Sequence, residues 1–283
     1  MSLQAEFARA AAADGRMALV TIVAPEGEAV GSKLLVREDA SSDGTLGAPD
    51  LDAAATRAAT ELMWAERSEL REHAGTTLFV DVTTPAPRLV IFGAIDYTTA
   101  LCRLAAAAGW RPFVCDPRAQ FATPERFPDA EEVVCAWPDK AFEQLGGIDP
   151  ATSIAVLTHD PKLDDAALLI ALRSAAGYVG AMGSRGAQAS RRERLLEAGV
   201  DGAELARLAA PIGLDLGATS NEETALSIVA EVVAHRNGRG GGPLTHASGR
   251  IHDVGETSPD VAGSGDGRRN PIFAGPGDGR RNP

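Results

Sequence analysis

Residues 88–109 read RLVIFGAIDYTTALCRLAAAAG, and the fold turns on them. Residues 89–92 are the apolar run of a buried strand, Gly93 breaks it, and a helical pattern begins within three residues. Leu101, Leu104 and the alanines that follow recur at spacings of three and four, which predicts an apolar stripe along one helix face. Gly109 stops that helix, and RPFVCD (residues 111–116) predicts a second strand ending in an acid. Strand, glycine turn, helix, strand and an acid roughly 20 residues on is the opening unit of the α/β sheets that bind dinucleotides. The full fingerprint wants glycine at the positions of Gly93, Ile95 and Thr98, and only the first is kept. The second glycine normally lets backbone touch a pyrophosphate, and here the Ile95 side chain would stand in that space.

Downstream, strands and helices alternate. Strands are expected at 131–136, 152–159 and 178–183, with helices at 139–147, 162–176 and 185–197. Such alternation implies a parallel sheet with helices on both faces. In TSNEETALSIVAEVVAHR (residues 219–236), Ser220 with Glu223 makes a capping box. Ala225, Ile228, Val229, Val232 and Val233 follow it on one apolar face. Upstream, residues 1–15 read as a helical lead-in and 17–24 and 32–39 as strands pairing across a turn. Residues 39–50 read as loop, 51–70 as a long alanine-rich helix, 76–83 as a half-buried strand, and Pro85 and Pro87 as a linker. The expected organisation is a smaller α+β domain over 1–84, a parallel α/β domain over 85–237, and a disordered tail over 238–283. That tail is rich in Gly, Ser, Pro, Asp and Arg and holds GDGRRNP twice, from Gly265 and from Gly277.

A net charge of −12 over 283 residues argues against a nucleic-acid partner, which needs a basic face. No apolar run reaches the ~20 residues of a membrane span, and the first residues lack a signal-peptide core, so a cytoplasmic protein is expected. Cys102, Cys115 and Cys135 form no CxxC pair and read as free thiols of a reducing compartment. With no second histidine near His159, no metal site is expected.

Ligands of open α/β sheets bind beyond the carboxyl ends of the strands, where strand order reverses. That rule nominates Gly93, then Asp116 and Arg118, then Thr158, His159 and Asp160, then Gly183, Ser184 and Arg185. His159 and Asp160 read either as an acid–base group with its orienter or as a backbone-bonded histidine and a helix cap. Gly183, Ser184 and Arg185 open a helix, whose free amides, positive end and guanidinium suit a phosphate; the plainer reading is a serine cap and a solvated arginine. Arg191, Arg192 and Arg194 read as a solvated face. Asp215, in the glycine-flanked PIGLDLGA, reads as a loop staple or a ligand contact.

DPR at Asp116, THD at Thr158, YVGAMGSR at Tyr178 and PIGLDLGATSNEE at Pro211 together resemble the XdhC/CoxI family, accessory proteins of molybdenum hydroxylases such as xanthine dehydrogenase. SKLLV at Ser32 resembles that family's first-domain strand. The resemblance implies a C-terminal Rossmann-like parallel sheet with a smaller N-terminal α+β domain. It implies binding of molybdenum cofactor (molybdopterin), help with its sulfuration, and delivery to an apo molybdenum hydroxylase. A cysteine desulfurase is a second implied partner, no catalytic residue is implied, and a homodimer stays open. The chain departs from the family where Gly-Ala-Gly-His becomes Gly93, Ala94, Ile95 and Asp96. The family's Gly-Gly-Cys-Val-Glu falls on Ala48, Pro49, Asp50, Leu51 and Asp52, so its thiol, a soft ligand, is missing. Two further readings stand beside a cofactor chaperone. One is an NAD(P)-dependent oxidoreductase, with Asp116 as the ribose acid; the other is a degenerate member that serves as an interaction scaffold.

Overall fold

A computed structural model describes residues 2–25 and 29–247. Two sheets organise them. The first is antiparallel, in the order β3-β2-β1-β5-β4, and is built from β1 (Met17–Ala24), β2 (Lys33–Arg37), β3 (Ser42–Thr45), β4 (Glu69–His73) and β5 (Thr76–Thr83). Helix α1 (Leu3–Ala12) packs on β1 and β2, and α2 (Pro49–Ala65) packs on β1, β2 and β5. Ala55, Ala59, Leu62 and Met63 of α2 meet Ala18, Val20, Ile22, Leu34 and Val36 in one apolar cluster. The strand members of that cluster are every second residue, the period-2 signature of a sheet with a covered face.

The second sheet is parallel, in the order β11-β10-β9-β6-β7-β8. Its strands are β6 (Arg88–Phe92), β7 (Arg111–Cys115), β8 (Glu132–Val134), β9 (Thr152–Val156), β10 (Tyr178–Ala181) and β11 (Leu208–Ala209). Leu89, Ile91, Val114 and Leu157 point to the face covered by α3 (Asp96–Ala107) and α8 (Asn221–Arg236). Val90, Phe92, Phe113, Ile154 and Val156 point to the other. That face is covered by α4 (Pro138–Gln144), α5 (Pro161–Arg173), α6 (Arg185–Glu197) and the short α7 (Gly202–Ala206). Strand order reverses between β6 and β9, which register Arg88 with Thr152 and Phe92 with Val156. Among the described residues no helix is long and apolar enough to cross a membrane.

The structure differs from the expected elements in the first domain. Residues 42–45, expected as loop, form the edge strand β3, paired with β2 through Lys33 to Val36. The helix expected to reach residue 70 ends at Ala65, where Glu66 turns left-handed (φ 52°), and Leu70 instead pairs with Phe79. Ala74 and Gly75, with φ of 49° and 79°, make the two-residue turn that joins β4 to β5. Both positions having φ > 0 is what a tight hairpin requires, and the alanine-rich run before it hid that signal. The capping box of Ser220 and Glu223 is present at α8, and a second, unforeseen one joins Asp201 to Glu204 at α7. Of the expected tail, residues 238–247 are described and include a 3-10 turn at Leu244–His246; both GDGRRNP copies lie outside the described residues.

Gly177 lies just before β10, and a Cβ there would stand 2.3 Å from the carbonyl oxygen of Pro150. Backbone cannot rotate away as a side chain can. Gly177→Ala is therefore expected to cost about 1–3 kcal/mol in chemical denaturation. Gly202→Ala, at a position with nothing within 4 Å, should be neutral or mildly stabilising.

Candidate functional site

The turn after β6 is held from every side. Gly93 has φ +122°, and a Cβ on it would lie 2.8 Å from the methyl carbon of Thr158, so only glycine fits between the ends of β6 and β9. The Ala94 N–H donates to Asp116 Oδ2 at 2.9 Å, and the Ala94 carbonyl accepts from Arg126 Nη1 at 3.0 Å. Thr98, at the third fingerprint position, is fully buried and its hydroxyl donates to the Gly93 carbonyl. Ile95 packs against the α3–α8 side of the core, as a half-buried side chain in the place of the second glycine. Asp96 then puts an exposed carboxylate on the positive end of α3. In this turn the amide of Ala94 is occupied, and the helix end carries a carboxylate paired with Arg126 at 3.5 Å.

Asp116, just past the end of β7, is buried and saturated. Besides Ala94 it accepts from the Arg118 backbone N–H at 3.0 Å, from Arg118 Nε at 2.9 Å and from Arg118 Nη2 at 2.7 Å. Burial alone would push this carboxyl up, but the hydrogen bonds from Arg118 and Ala94 outweigh it and hold the group below the usual carboxylate range. A ribose-binding acid needs free oxygens; these two are occupied by four donors. The Arg118 guanidinium lies over the ring of Phe121, 4.7 Å from its centre.

The turns after β9 and β10 carry the rest of the nominated residues. Thr158 is buried, and its hydroxyl donates to Asp164 Oδ1 on α5. Asp160 caps α5 by accepting from the Lys162 N–H at 3.0 Å, in line with the plainer of its two readings. His159 is exposed and, among the described residues, has no hydrogen-bond partner. Gly183 has φ +137°, Ser184 caps α6 by accepting from the Ala187 N–H at 3.2 Å, and Arg185 is exposed and bonded to no described side chain. The structure thus brings Gly93, Thr158, His159, Asp160, Gly183, Ser184 and Arg185 to neighbouring strand ends, with Asp116 and Arg118 one strand further along. Between β6, β7 and β9 runs a narrow cleft lined by Phe92, Gly93, Cys115, Asp116, Thr158 and Leu163. Larger hollows lie elsewhere, between α8 and residues 238–247 and at the amino ends of β6 and β7.

Two readings need correcting. Arg191, expected on a solvated face, is 4% exposed, and its Nη2 meets Asp164 Oδ2 at 2.7 Å. Arg194 is engaged as well, bidentate to Asp165 at 2.6 and 3.0 Å. The readable signal was spacing: Arg191 stands one helical turn before the buried Leu195, on the face of α6 that turns inward. Burial pushes the Asp164 carboxyl up, despite the hydrogen bonds from Thr158 and Arg191. Asp215 sits exposed at the tip of its loop. The loop itself is fixed by the Gly213 N–H donating to Glu231 at 2.7 Å and by Ile212, which lies where a Gly180 side chain would be. Burial pushes the Cys102 and Cys115 thiols up to about 12, which leaves both protonated and inert; Cys135 is exposed. Among the described residues no three His, Cys, Asp or Glu side chains cluster as metal ligands would.

Residues 89–232 match the XdhC Rossmann domain, and residues 10–74 match the XdhC and CoxI family. The chain belongs to the XdhC/CoxI family. It is 31% identical over 161 residues to a probable xanthine dehydrogenase subunit of Bacillus subtilis, covering 57% of this chain and 46% of that one. It is 29% identical over 152 residues to the molybdenum cofactor insertion chaperone PaoD of Escherichia coli, covering 54% and 41%. A third relative, the uncharacterized protein YqeB of Escherichia coli, is 29% identical over 190 residues, covering 67% and 34%. The chain thus spans less than half the length of each of these relatives. In fold it is similar to the crystal structure of a xanthine dehydrogenase from Bacillus halodurans, with a TM-score of 0.50 at 20% identity over 87% of this chain and 98% of that one.

In this XdhC/CoxI chain the saturated Asp116 has a pH signature. Its folded-state pKa is depressed, so its contribution is present above the unfolded carboxylate value near ~3.9 and is lost as pH falls through the folded value. Asp116→Asn is expected to lower stability at pH 7 by about 1–3 kcal/mol. The gap to the native chain should close as urea titrations are repeated at falling pH below ~4.

Proposed function

We propose that this chain is an accessory protein of a molybdenum hydroxylase that holds molybdenum cofactor, assists its sulfuration and helps insert it into the apo-enzyme in the cytoplasm. The observation that carries the reading is the contrast between two helix starts on one sheet. Before α3 the turn amide of Ala94 is occupied, the Ile95 side chain stands in the place of the second glycine, and Asp96 at the helix end is already paired with Arg126 at 3.5 Å. At α6 the entry is glycine, a capping serine and an exposed guanidinium bonded to no described side chain. A phosphorylated pterin fits the second kind of end, where free amides, the helix dipole and Arg185 act on one anion.

In this reading the phosphate sits on Ser184 and Arg185, and Thr158, His159 and Asp160 line the side toward β9. The metal chemistry belongs to the cofactor; the chain's part is to bind, orient and shield it. Sulfur comes from a partner of the cysteine desulfurase class. Asp50 stands exposed where the family motif carries its thiol, and Cys102 and Cys115 are buried. Cys135 follows β8, four strand spacings from β10, or roughly 19 Å. Kinship to PaoD, a molybdenum cofactor insertion chaperone, supports the assignment of cargo. A nicotinamide dinucleotide is the weaker reading, because its pyrophosphate would need the Ala94 amide and its ribose the oxygens of Asp116.

Protein purified from a molybdate-replete host is expected to carry molybdenum by mass spectrometry and oxidised-pterin fluorescence, and carrying neither would defeat the reading. Arg185→Ala is expected to weaken retention of the cofactor by roughly tenfold or more, since a hydrogen bond to a charged group is worth about 1.5–3 kcal/mol. Calorimetry showing NAD or NADP bound more tightly than ~100 μM, roughly 5–6 kcal/mol, would favour the dinucleotide reading instead.

A further inference from the structure

A buried ion pair lies directly beneath the crevice, and its contacts reach the turns after β6, β9 and β10. Asp164 on α5 and Arg191 on α6 are 2% and 4% exposed. One Asp164 oxygen meets Arg191 Nη2 at 2.7 Å, and the other accepts the hydroxyl of Thr158. The methyl group of that same Thr158 is what denies Gly93 a side chain. On the other side, Arg191 Nη1 donates to the Met182 carbonyl at 3.0 Å and to the side-chain oxygen of Gln188. Gln188 in turn donates to the Gly183 carbonyl at 3.2 Å. A Cβ on Gly183 would stand 3.7 Å from Arg191 Nη1.

We infer that Asp164 and Arg191 are positioning residues: without touching the ligand, they set the spacing between the Thr158 turn and the Gly183–Ser184 turn on which ligand affinity depends. The inference rests on the function proposed above. Two features set the pair apart from an ordinary structural bridge. A buried ion pair is weak evidence of net stabilisation, because desolvation offsets the attraction. Moreover, Arg191 Nε is buried with no hydrogen-bond partner among the described residues, an arrangement that packing for stability alone disfavours. The neighbouring pair provides the contrast. Asp165 and Arg194 also join α5 to α6, but they are partly exposed, bidentate, and hydrogen-bonded to no crevice turn.

The test uses the full chain and molybdopterin released from a purified molybdoenzyme, with Kd read by pterin fluorescence at a temperature where circular dichroism shows every variant folded. Arg191→Lys keeps the charge but lacks the fork that reaches Met182 and Asp164 together. It and Asp164→Asn should each raise Kd by about tenfold or more, the range seen when groups behind a binding shell are altered. The double variant should be little worse than either single one. Asp165→Asn with Arg194→Lys should keep Kd within about twofold even where it lowers the melting temperature. Should either buried variant fail to fold, Thr158→Val cuts the link to Asp164 at constant shape and should raise Kd. Native-like Kd in folded Arg191→Lys, Asp164→Asn or Thr158→Val overturns the inference alone. A native chain that binds no molybdopterin overturns it together with the proposed function.

Discussion

The contact between Gly93 and Thr158 constrains everything at the sheet's carboxyl rim. Two parallel strands run side by side, and their connecting helices leave toward opposite faces, so their ends must part around a crevice. Here the parting is minimal, because the Thr158 methyl fills the place of a side chain on Gly93. The turn after β6 is consequently drawn tight. Thr98, Asp116 and Arg126 then hold its carbonyls and the Ala94 amide. What is left open lies further along the rim, at the start of α6.

The parallel sheet was legible in the sequence because its evidence is repeated. Each strand is a short apolar run ended by glycine or a polar turn, and each helix restores a spacing of three and four. The capping box at α8 could be read from two letters, Ser220 and Glu223. In the first domain the same reasoning failed at residues 66–75. There an alanine-rich helix runs almost without a break into a hairpin whose turn depends on two residues with positive φ. Backbone angles of that kind leave little trace when the residue is alanine rather than asparagine or glycine.

The candidate site was legible in its outline and not in its support. Turn residues such as Asp116, Thr158 and Ser184 can be nominated from their place after a strand. That Asp116 is saturated by Arg118 and Ala94 is a fact of three dimensions, although Arg118 lies only two residues away in the chain. Arg191 is the instructive case. In a run reading RRER a buried guanidinium looks like its neighbours, and only its spacing from Leu195 marks it. Asp164 likewise looks like a first-turn acid of α5, yet it faces inward to meet Thr158 and Arg191.

The occupied amide of Ala94 also bears on competition inside a cell. Sheets of this topology are ordinarily receptive to coenzymes and nucleoside phosphates, which cells hold in vast excess over a scarce, labile pterin. A carrier with a receptive first loop would spend its life loaded with the wrong passenger. On the function proposed above, the internally engaged Ala94 amide and the Asp96–Arg126 pair at that helix mouth would work against those abundant metabolites and leave the start of α6 for the pterin.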